Sequence, residues 1–319
     1  MKLIITIDTE EDNWGNFISK GYTLENLKMI PVLQDLFDKY GVKPTYLITY
    51  PVATDESSIK TLKVIHADGR CEIGSHCHPW NTPPFEEETN AHNSMLCNLS
   101  ADLQYMKLEQ LHKVIKKNFG ITPLSFRSGR WGYNQDIAKN LYKLGYKIDT
   151  SIASYSDWTS YHGPDFSDIT PRHFRFSTED AFIESTEGQL VEVPATVGFL
   201  QGNFTLSNFM LKNLQKKPLS YLRCAGILDR LGLLNKVWLS PEVSNSKGMI
   251  KLARTMIKMD YPFLNMVFHS TTLKAGLTPF VKTSADEKEF LKRIKDFISF
   301  TRAEGIESIK LKETLSEIK

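Results

Sequence analysis

Short apolar runs rich in β-branched residues alternate with longer segments of helical periodicity, and this alternation constrains the fold more than any other feature. Residues 3–7 are all apolar or β-branched, with one threonine among them. Such a run is typical of a strand buried on both faces of a parallel sheet. A helical pattern then extends from residue 23 to a glycine at residue 41, a common helix terminator. Repetition of such units predicts an α/β fold with a parallel sheet.

The remaining predicted elements continue the same order. Further strands are predicted at residues 45–48, 71–74, 124–126, 146–148, 191–193, 237–239 and 264–268. Further helices are predicted at residues 59–66, 100–119, 136–144, 249–259 and 287–302. This number of units suits a barrel better than a small sandwich, and barrel enzymes carry their active sites at the C-terminal ends of the strands.

The length of 319 residues permits one large domain or two small ones. Because no repeat, low-complexity tract or linker is visible, we expect one domain spanning residues 1–319, with insertions near 154–188 and 204–234. The first insertion is long, polar and aromatic, as functional or disordered loops are. The second mixes basic and apolar residues and has three interpretations: an amphipathic cap over the site, a membrane-surface helix, or a surface helix pair, which is the simplest.

The charge balance gives no sign of nucleic-acid binding, since 39 basic and 37 acidic residues are spread along the whole chain. Four cysteines without paired spacing predict reduced thiols rather than a disulfide framework. The N-terminal apolar run reaches Asp8 before a signal-peptide core could form, and no run approaches the ~20 residues needed to span a bilayer. We therefore expect a cytoplasmic protein without an integral membrane segment. A peripheral membrane association and the oligomeric state are left open.

Polar side chains follow five of the predicted strands, at the end where barrel enzymes place their sites. Taken singly, each is more often a helix cap, a solvated loop residue or a hydrogen-bonded side chain than a functional group. Together they predict one site. It combines two carboxylates, three imidazoles and supporting charged groups: Asp8, Glu10, His76, His78, Arg127, Asp149 and His269.

A metal site follows from the spacing of these groups. Asp8 and Glu10 are two residues apart, as are His76 and His78, so each pair points to one side of its strand. Two imidazoles and one carboxylate are a common catalytic zinc set that leaves a position for water. The other carboxylate is then free to act as general base, and His269 could protonate the leaving group.

Arg127 and Asp149 fit supporting roles. A cation beside the base carboxylate would lower its pKa, and an aspartate beside His269 would orient the ring and raise its pKa. The structural alternatives are that Arg127 braces a loop and that Asp149 caps the following turn.

At these residues the sequence resembles the polysaccharide deacetylase family, also called the NodB-homology or carbohydrate esterase family 4 group. The resemblance spans most of the chain and rests on five motifs, at residues 6–10, 72–78, 126–129, 149–151 and 268–269. It implies a distorted parallel (β/α)7-type barrel. It also implies that Asp8 is the base, that Arg127 pairs with it, and that Asp149 tunes His269.

Three positions depart from the commonest family pattern. Thr9 stands where a metal carboxylate usually follows the base, so the ligand role moves to Glu10. Trp80 stands four residues after the first histidine, where the second usually lies, so His78 becomes the second ligand candidate. Gly129 occupies a place that is often proline, at the backbone that binds the oxyanion in the third motif.

Several short sequence motifs are similar to those of one branch of this family, the WalW-like deacetylases. They lie at residues 78–80, 83–84, 129–132, 163–166, 192–194, 238–242 and 269–270. Membership of this branch implies an association with surface-polysaccharide biosynthesis.

The resemblance implies a metal-dependent hydrolase that removes an acetyl group from an amino sugar of a polysaccharide or glycan precursor. Its partners would be a carbohydrate substrate and a divalent metal, with zinc as the first candidate. Trp80, Trp131 and Trp158 are candidates to line the sugar site, together with Gly129, although each tryptophan could equally belong to the core.

Within the hydrolases, an O-acetyl group, a formyl group or a non-sugar amide also remains open as the substrate. Two functions of other classes remain open as well. A metal-independent glycoside hydrolase would use a carboxylate pair such as Asp8 and Glu192. A non-catalytic module of the same fold would bind glycan without turnover, which the altered spacing of the histidines permits.

Overall fold

The computed structural model, which describes residues 1–217, 221 and 223–318, confirms the predicted α/β fold. Its strands are β1 (Lys2–Thr9), β2 (Thr45–Ile48), β3 (Glu72–Cys77), β4 (Ser125–Ser128), β5 (Ile148–Asp149), β6 (Phe174–Ser177), β7 (Asp180–Glu184), β8 (Leu190–Glu192), β9 (Val197–Phe199), β10 (Lys236–Trp238), β11 (Phe263–His269) and β12 (Glu307–Ser308). Its helices are α1 (Ile30–Tyr40), α2 (Tyr50–Thr54), α3 (Glu56–Ala67), α4 (Ala101–Phe119), α5 (Gln135–Leu144), α6 (Phe204–Gln215), α7 (Cys224–Arg230), α8 (Ser246–Lys258), α9 (Ser284–Ala303) and α10 (Thr314–Glu317).

The main sheet is mostly parallel and does not close into a continuous ladder. Its order is β11-β1-β2-β3-β4-β5-β8-β6-β7, with β12 also paired to β1, while β9 and β10 form a separate antiparallel pair. Between β8 and β11, the Asn265 side chain donates to the carbonyls of Val193 at 3.1 Å and Pro194 at 3.3 Å. Backbone bonds from Thr196 to the Asn265 carbonyl and from Val267 to the Leu239 carbonyl, both at 3.1 Å, join these side-chain bonds across the seam of this barrel-like sheet.

Strand β1 shows how the sheet separates its two faces. Leu3, Ile5 and Ile7 belong to the large cluster that includes the helices, whereas Ile4 packs with Ile148 and other residues of the barrel interior. Since alternate side chains of a strand point to opposite faces, Thr6 and Asp8 continue the inner row of Ile4 towards the C-terminal end.

The interior is layered along this row. Above the apolar layer, the Thr6 hydroxyl donates to Asn265 Oδ1 at 3.0 Å and accepts from Arg127 Nη2 at 2.6 Å. Thr150 joins the same network, because its hydroxyl accepts from Asn265 Nδ2 at 3.0 Å. A fully buried polar network of this kind rigidifies the layer directly beneath the strand ends.

The loop that follows β3 is fastened to helix α4. Lys107 of α4 is buried and donates from Nζ to the carbonyls of Pro79, Thr82 and Pro84 at 2.9, 2.8 and 2.6 Å. Glu87 lies 2.8 Å from the same ammonium group. Four acceptors around one buried lysine hold the chain immediately after the third strand in a single conformation.

Most predicted elements are present, with bounds shifted by a few residues. The third strand extends to Cys77 and so includes His76, and residues 154–188 contain the unpredicted β6–β7 hairpin. Helices α6 and α7 occupy the described part of residues 204–234; residues 218–220 and 222 lie outside the described residues. In the described parts of the chain, none of the helices has the length and apolar character that a membrane crossing needs.

Candidate metal and catalytic site

Most of the predicted site residues gather at the C-terminal ends of the parallel strands, and strand register explains which of them meet. In the β1–β11 pair, Asp8 lies opposite His269. In the β3–β4 pair, His76 lies opposite Arg127. Two in-register pairings thus bring four of these residues, far apart in sequence, to one end of the sheet.

Three donor atoms form a compact cluster. Glu10 Oε2 lies 3.4 Å from His78 Nε2 and 3.8 Å from His76 Nε2, and ligand atoms of all three residues lie within 4.8 Å of one another. All three side chains are buried. Two imidazole nitrogens and a carboxylate oxygen at this spacing match the donor set of a catalytic zinc site.

Hydrogen bonds on the far side of each ring favour the tautomers that metal binding requires. The His76 Nδ1–H donates to the Arg127 carbonyl at 3.1 Å, and the His78 Nδ1–H donates to Glu11 Oε1 at 3.3 Å. Because both partners are acceptors only, the proton of each neutral ring resides on Nδ1 and the Nε2 lone pair is free. Asn81 also donates to Glu11, at 2.6 Å, which fixes that carboxylate.

The electrostatics of the cluster also fit a cation. Burial raises the pKa of Glu10 to about 7, against the opposing charges of His269 and His78. Burial lowers the pKa of His76 to about 3, so this ring is neutral, as a metal ligand must be. A carboxylate that is buried at such cost would be stabilised by a positive ion between it and the two rings.

Asp8 has a different environment from Glu10. Its Oδ1 accepts from Arg127 Nη1 at 2.6 Å, and its Oδ2 lies 3.6 Å from His269 Nε2. Burial would raise the pKa of Asp8, but the charges of Arg127, His76 and His269 outweigh it and lower the pKa to about 2. Asp8 is therefore an ionised carboxylate with one oxygen held by a guanidinium and the other facing a histidine.

His269 is oriented by a glutamate that the sequence analysis did not assign. Both Glu242 carboxylate oxygens lie 3.1 Å from His269 Nδ1, and Thr272 donates to Glu242 at 2.6 Å. Burial lowers the pKa of His269, but the negative charges of Glu242, Glu10 and Asp8 outweigh it and raise the pKa to about 10. The ring is thus protonated at neutral pH, with Nε2–H directed at Asp8.

The predicted contact between Asp149 and His269 is absent from the structure. Asp149 is paired in register with Phe126, one residue deeper in the sheet than Arg127. From that depth its carboxylate accepts from the Ser151 hydroxyl at 2.7 Å and does not reach the strand ends. Burial has the largest effect on the pKa of Asp149 and raises it.

Gly129 lies against the metal-ligand candidates rather than in the lining of the cavity. A Cβ at this position would come within 2.3 Å of the His78 ring and 2.7 Å of the Cys77 carbonyl. Glycine is therefore needed here for close packing. The predicted contact of Gly129 with substrate has no support among the residues that line the cavity.

The cluster opens into a cavity of about 650 Å³ whose wall is mostly aromatic. Trp80 stacks on the ring of His78, with centroids 4.1 Å apart. Trp131 stacks with Trp158 at 6.3 Å, and both lie about as far from Trp238. The three tryptophans of the sequence analysis thus all reach the cavity, but Trp80 does so as a support for a ligand candidate.

The two insertions differ in their relation to the cavity. Residues 154–188 contribute Trp158 and Tyr161 to its wall, whereas none of the described part of residues 204–234 lines it. Instead, Asn208 and Lys212 of α6 bond to Ser167 and Asp168 of the first insertion. The described part of the second insertion therefore buttresses the first and does not cap the site.

Sequence reasoning missed several residues of the site. Glu11 lies inside the acidic run after β1, and Glu242 lies in the loop after β10, so a polar residue following a strand was again the available signal. Trp238 is the last residue of β10. Trp14, whose ring meets His269 edge-on at 4.8 Å, lies in a loop that offered no periodic signal.

Comparisons with known proteins agree with this geometry. Residues 20–148 match the family model for polysaccharide deacetylase, a stretch that includes both histidines of the cluster and Arg127. A putative polysaccharide deacetylase from Mycobacterium smegmatis aligns over 99% of this chain and 88% of its own, at 13% identity and a TM-score of 0.56. No curated protein matches the sequence.

Two further solved structures align along the whole chain. A 4-alpha-glucanotransferase from Thermococcus litoralis aligns over 100% of this chain and 40% of its own, at 14% identity and a TM-score of 0.55. A family 4 acetyl xylan esterase from Clostridium thermocellum, in complex with a cobalt ion, aligns over 100% and 93% at 13% identity and a TM-score of 0.44. At 14% identity, the likeness to the glucanotransferase shows a shared fold and nothing more. Residues 20–148 of this chain are thus similar to the polysaccharide deacetylase family, and they lie on a fold that is shared with a solved structure of that description.

Proposed function

We propose that this protein is a metal-dependent hydrolase that removes an acetyl group from an amino sugar of a polysaccharide or glycan precursor. The observation that carries the proposal is the proximity, in one cavity, of the Glu10–His76–His78 cluster and of Asp8, which is held between Arg127 and His269. A metal-donor set beside an acid–base pair is the constellation that metal-assisted amide or ester hydrolysis requires.

Glu10, His76 and His78 would hold a divalent cation, with zinc as the first candidate. When bound, such a cation would polarise the acetyl carbonyl and lower the pKa of a water molecule. The free Nε2 atoms of the two rings and the poorly solvated carboxylate support this assignment. The bond from Glu11 to His78 makes that ring a better donor.

The chain's own groups divide the proton transfers. Asp8 is the general base, which takes a proton from the attacking water, while Arg127 keeps the carboxylate in place. His269 is the general acid, whose Nε2–H protonates the sugar nitrogen as its bond to the acetyl carbon breaks. Glu242 orients His269 through Nδ1 so that Nε2 faces the reacting atoms.

The aromatic wall would hold the sugar. Trp131 and Trp158 are the proposed contact residues, because both line the cavity and pack loosely enough against each other to remain partly exposed. Aromatic faces bury the apolar surface of a ligand while leaving its polar groups free to hydrogen-bond.

The two alternative functions have less support. Glu192, the proposed partner of Asp8 in a glycoside hydrolase, is fully buried, accepts from the Ile152 N–H and does not line the cavity. A non-catalytic module would not need a pair of proton-transfer groups, yet Asp8 Oδ2 and His269 Nε2 lie 3.6 Å apart.

We further propose that residues 1–319 form one domain of the WalW-like branch, with roles in surface-polysaccharide biosynthesis. The pairing of β12 with β1 supports a single domain, since it joins the two ends of the chain in one sheet.

The test is metal analysis followed by reconstitution. The protein is stripped with a chelator and reloaded with zinc, cobalt or nickel, and acetate release is measured from N-acetylated oligosaccharides. We expect about one ion per chain and activity that returns with metal; a His78→Ala variant should lose both. His112→Ala, which changes a buried histidine outside the cavity, serves as the matched control. A pure protein that gains no activity with any of the three metals would contradict the proposal.

A further inference from the structure

Arg130 lies in the wall of the same cavity in an unusual backbone conformation. Its φ of 54° and that of Trp131, 63°, place two successive non-glycine residues in the left-handed region. This conformation is unfavourable for residues that carry a Cβ, and it persists where the surrounding structure fixes it, often at ligand sites. The turn is anchored on one side by Gly129, which packs against His78.

The contacts of Arg130 hold its side chain without neutralising it. Its guanidinium donates to the Ser94 hydroxyl and, at 3.4 Å, to the Ala91 carbonyl, and it lies 4.9 Å from the centre of the Phe17 ring. Within the described ranges of the chain, no carboxylate approaches it to within 4 Å. The Tyr161 phenol lines the same cavity.

The other charged groups of the cavity already have counter-charges. Asp8 pairs with Arg127, Glu11 with His78 and Glu242 with His269, at 2.6, 3.3 and 3.1 Å. Glu10 faces the two histidines of the cluster, where a cation would bind. Among the lining residues that the structure describes, Arg130 is thus a half-buried cation whose charge is left for a ligand.

A stack of rings connects this guanidinium to the reaction centre. His78 stacks on Trp80 at 4.1 Å, Trp80 contacts Phe17 at 5.1 Å, and Phe17 contacts Arg130 at 4.9 Å. The cation is therefore two aromatic side chains away from a proposed metal ligand and shares its cavity. A group that binds Arg130 could belong to the same molecule as the acetyl group.

We propose that Arg130, in the cavity that Tyr161 also lines, binds an anionic group of the substrate, namely a carboxylate, sulfate or phosphate. Arginine pairs with such groups through two parallel N–H···O bonds, which a neutral hydroxyl cannot match. The natural substrate is then an acidic acetylated saccharide or a nucleotide-linked acetylated sugar. The identification of the ligand as substrate rests on the proposed function; the anion site itself does not.

Binding is measured on the metal-loaded protein by calorimetry with three probes. Two are acidic, a hyaluronan tetrasaccharide and uridine diphosphate N-acetylglucosamine, and the neutral one is tetra-N-acetylchitotetraose. We expect an acidic probe to bind about 10-fold tighter than the neutral one, equivalent to about 1.4 kcal/mol. Arg130→Met, which keeps an unbranched stem beside Phe17, should abolish this preference, and Arg130→Lys should retain part of it.

Arg254→Met is the matched control. Arg254 also lies over a phenylalanine ring, 5.3 Å from the centre of Phe300, but it does not line the cavity. Its replacement should leave the preference unchanged. Tighter binding of the tetrasaccharide assigns the anion to a uronate, and tighter binding of the nucleotide sugar assigns it to a diphosphate.

Acidic probes that bind no better than the neutral one, or equally well to Arg130→Met, would overturn the proposal. Acetate release from each probe is followed in parallel. If an Arg130-dependent preference exists but no probe loses acetate, the deacetylase function fails while the anion site stands. If the neutral probe alone loses acetate and no preference for an acidic probe appears, the anion site fails while the deacetylase function stands.

Discussion

Two glutamate–histidine pairs face the cavity. They share the bond at the Nδ1 atom of the histidine and differ in what lies beside its Nε2 atom. In the first, Glu11 accepts from Nδ1 of His78; in the second, Glu242 accepts from Nδ1 of His269. Their Nε2 atoms have different neighbours: His78 faces Glu10 at 3.4 Å, and His269 faces Asp8 at 3.6 Å. The His78 side chain is 7% exposed and that of His269 is 24% exposed.

The difference lies in what each opposing carboxylate is already bonded to. Asp8 is engaged by Arg127, a permanent cation, so it needs no metal to remain ionised in the interior. Glu10 has no arginine or lysine within 4 Å among the described residues, and burial raises its pKa. Under the proposed function, the same histidine–glutamate unit would therefore serve as a metal ligand beside Glu10 and as an acid beside Asp8. One arginine separates the two roles.

The largest effect is expected from Asp8→Asn. The amide cannot accept a proton from water, so turnover should fall about 10²–10⁴-fold, the usual contribution of a general base. Metal content should stay at the wild-type value, because the ligand cluster is untouched. Initial rates and elemental analysis measure the two quantities, with Asp168→Asn, a surface aspartate paired with Lys212, as control. Unchanged turnover would show that the base is elsewhere.

Glu11→Gln should act on the metal side alone. The glutamine can still accept from His78, but the lost charge makes the ring a weaker donor, and metal affinity should fall about 10–100-fold. Competition with a chelator of known affinity measures this. Glu72→Gln, at a buried glutamate bonded to Ser125 outside the cavity, is the control. An unaltered metal affinity would show that Glu11 does not influence metal binding.

Glu242→Gln should act on the acid side alone. Without the negative charge of Glu242, the raised pKa of His269 should fall, so its protonated form is lost at lower pH. The alkaline limb of the pH–rate profile should therefore move to lower pH, with metal affinity unchanged. A profile that keeps its alkaline limb, or a loss of metal, would argue against this division of roles.

The smallest effect on turnover is expected from Asp149→Asn. Asp149 bonds to Ser151 and not to His269, so the substitution should change kcat less than Glu242→Gln does and leave the alkaline limb in place. Thermal unfolding, measured alongside, reports its structural cost. A shift of the alkaline limb equal to that of Glu242→Gln would restore the role that the family pattern implies for Asp149.

The sequence was sufficient to predict the fold class and most of the residues that gather at the strand ends, because both depend on local patterns. Buried β-branched runs mark the strands, and a polar residue directly after such a run lies at the shared edge. The i, i+2 spacing also predicted that His76 and His78 lie on one side of their strand.

The partner of each side chain was harder to predict, because it depends on register and depth. Asp149 lies one residue too deep to reach His269, a difference that only strand pairing defines. Glu242 reaches it from the loop after β10, a strand outside the main sheet. The Val267 N–H of β11 donates to the Leu239 carbonyl at 3.1 Å, which holds the start of that loop beside β11.

The pairing of Asp8 with His269 has a consequence for the order in which the site assembles. The three candidate ligands all come from the first 78 residues, carried by the neighbouring strands β1 to β3, which pair without β11. His269, the proposed acid, joins them only through the pairing of β11, some 260 residues later, with β1. Under the proposed function, synthesis from the N-terminus would therefore produce the candidate metal ligands well before the acid, and activity would require the completed fold.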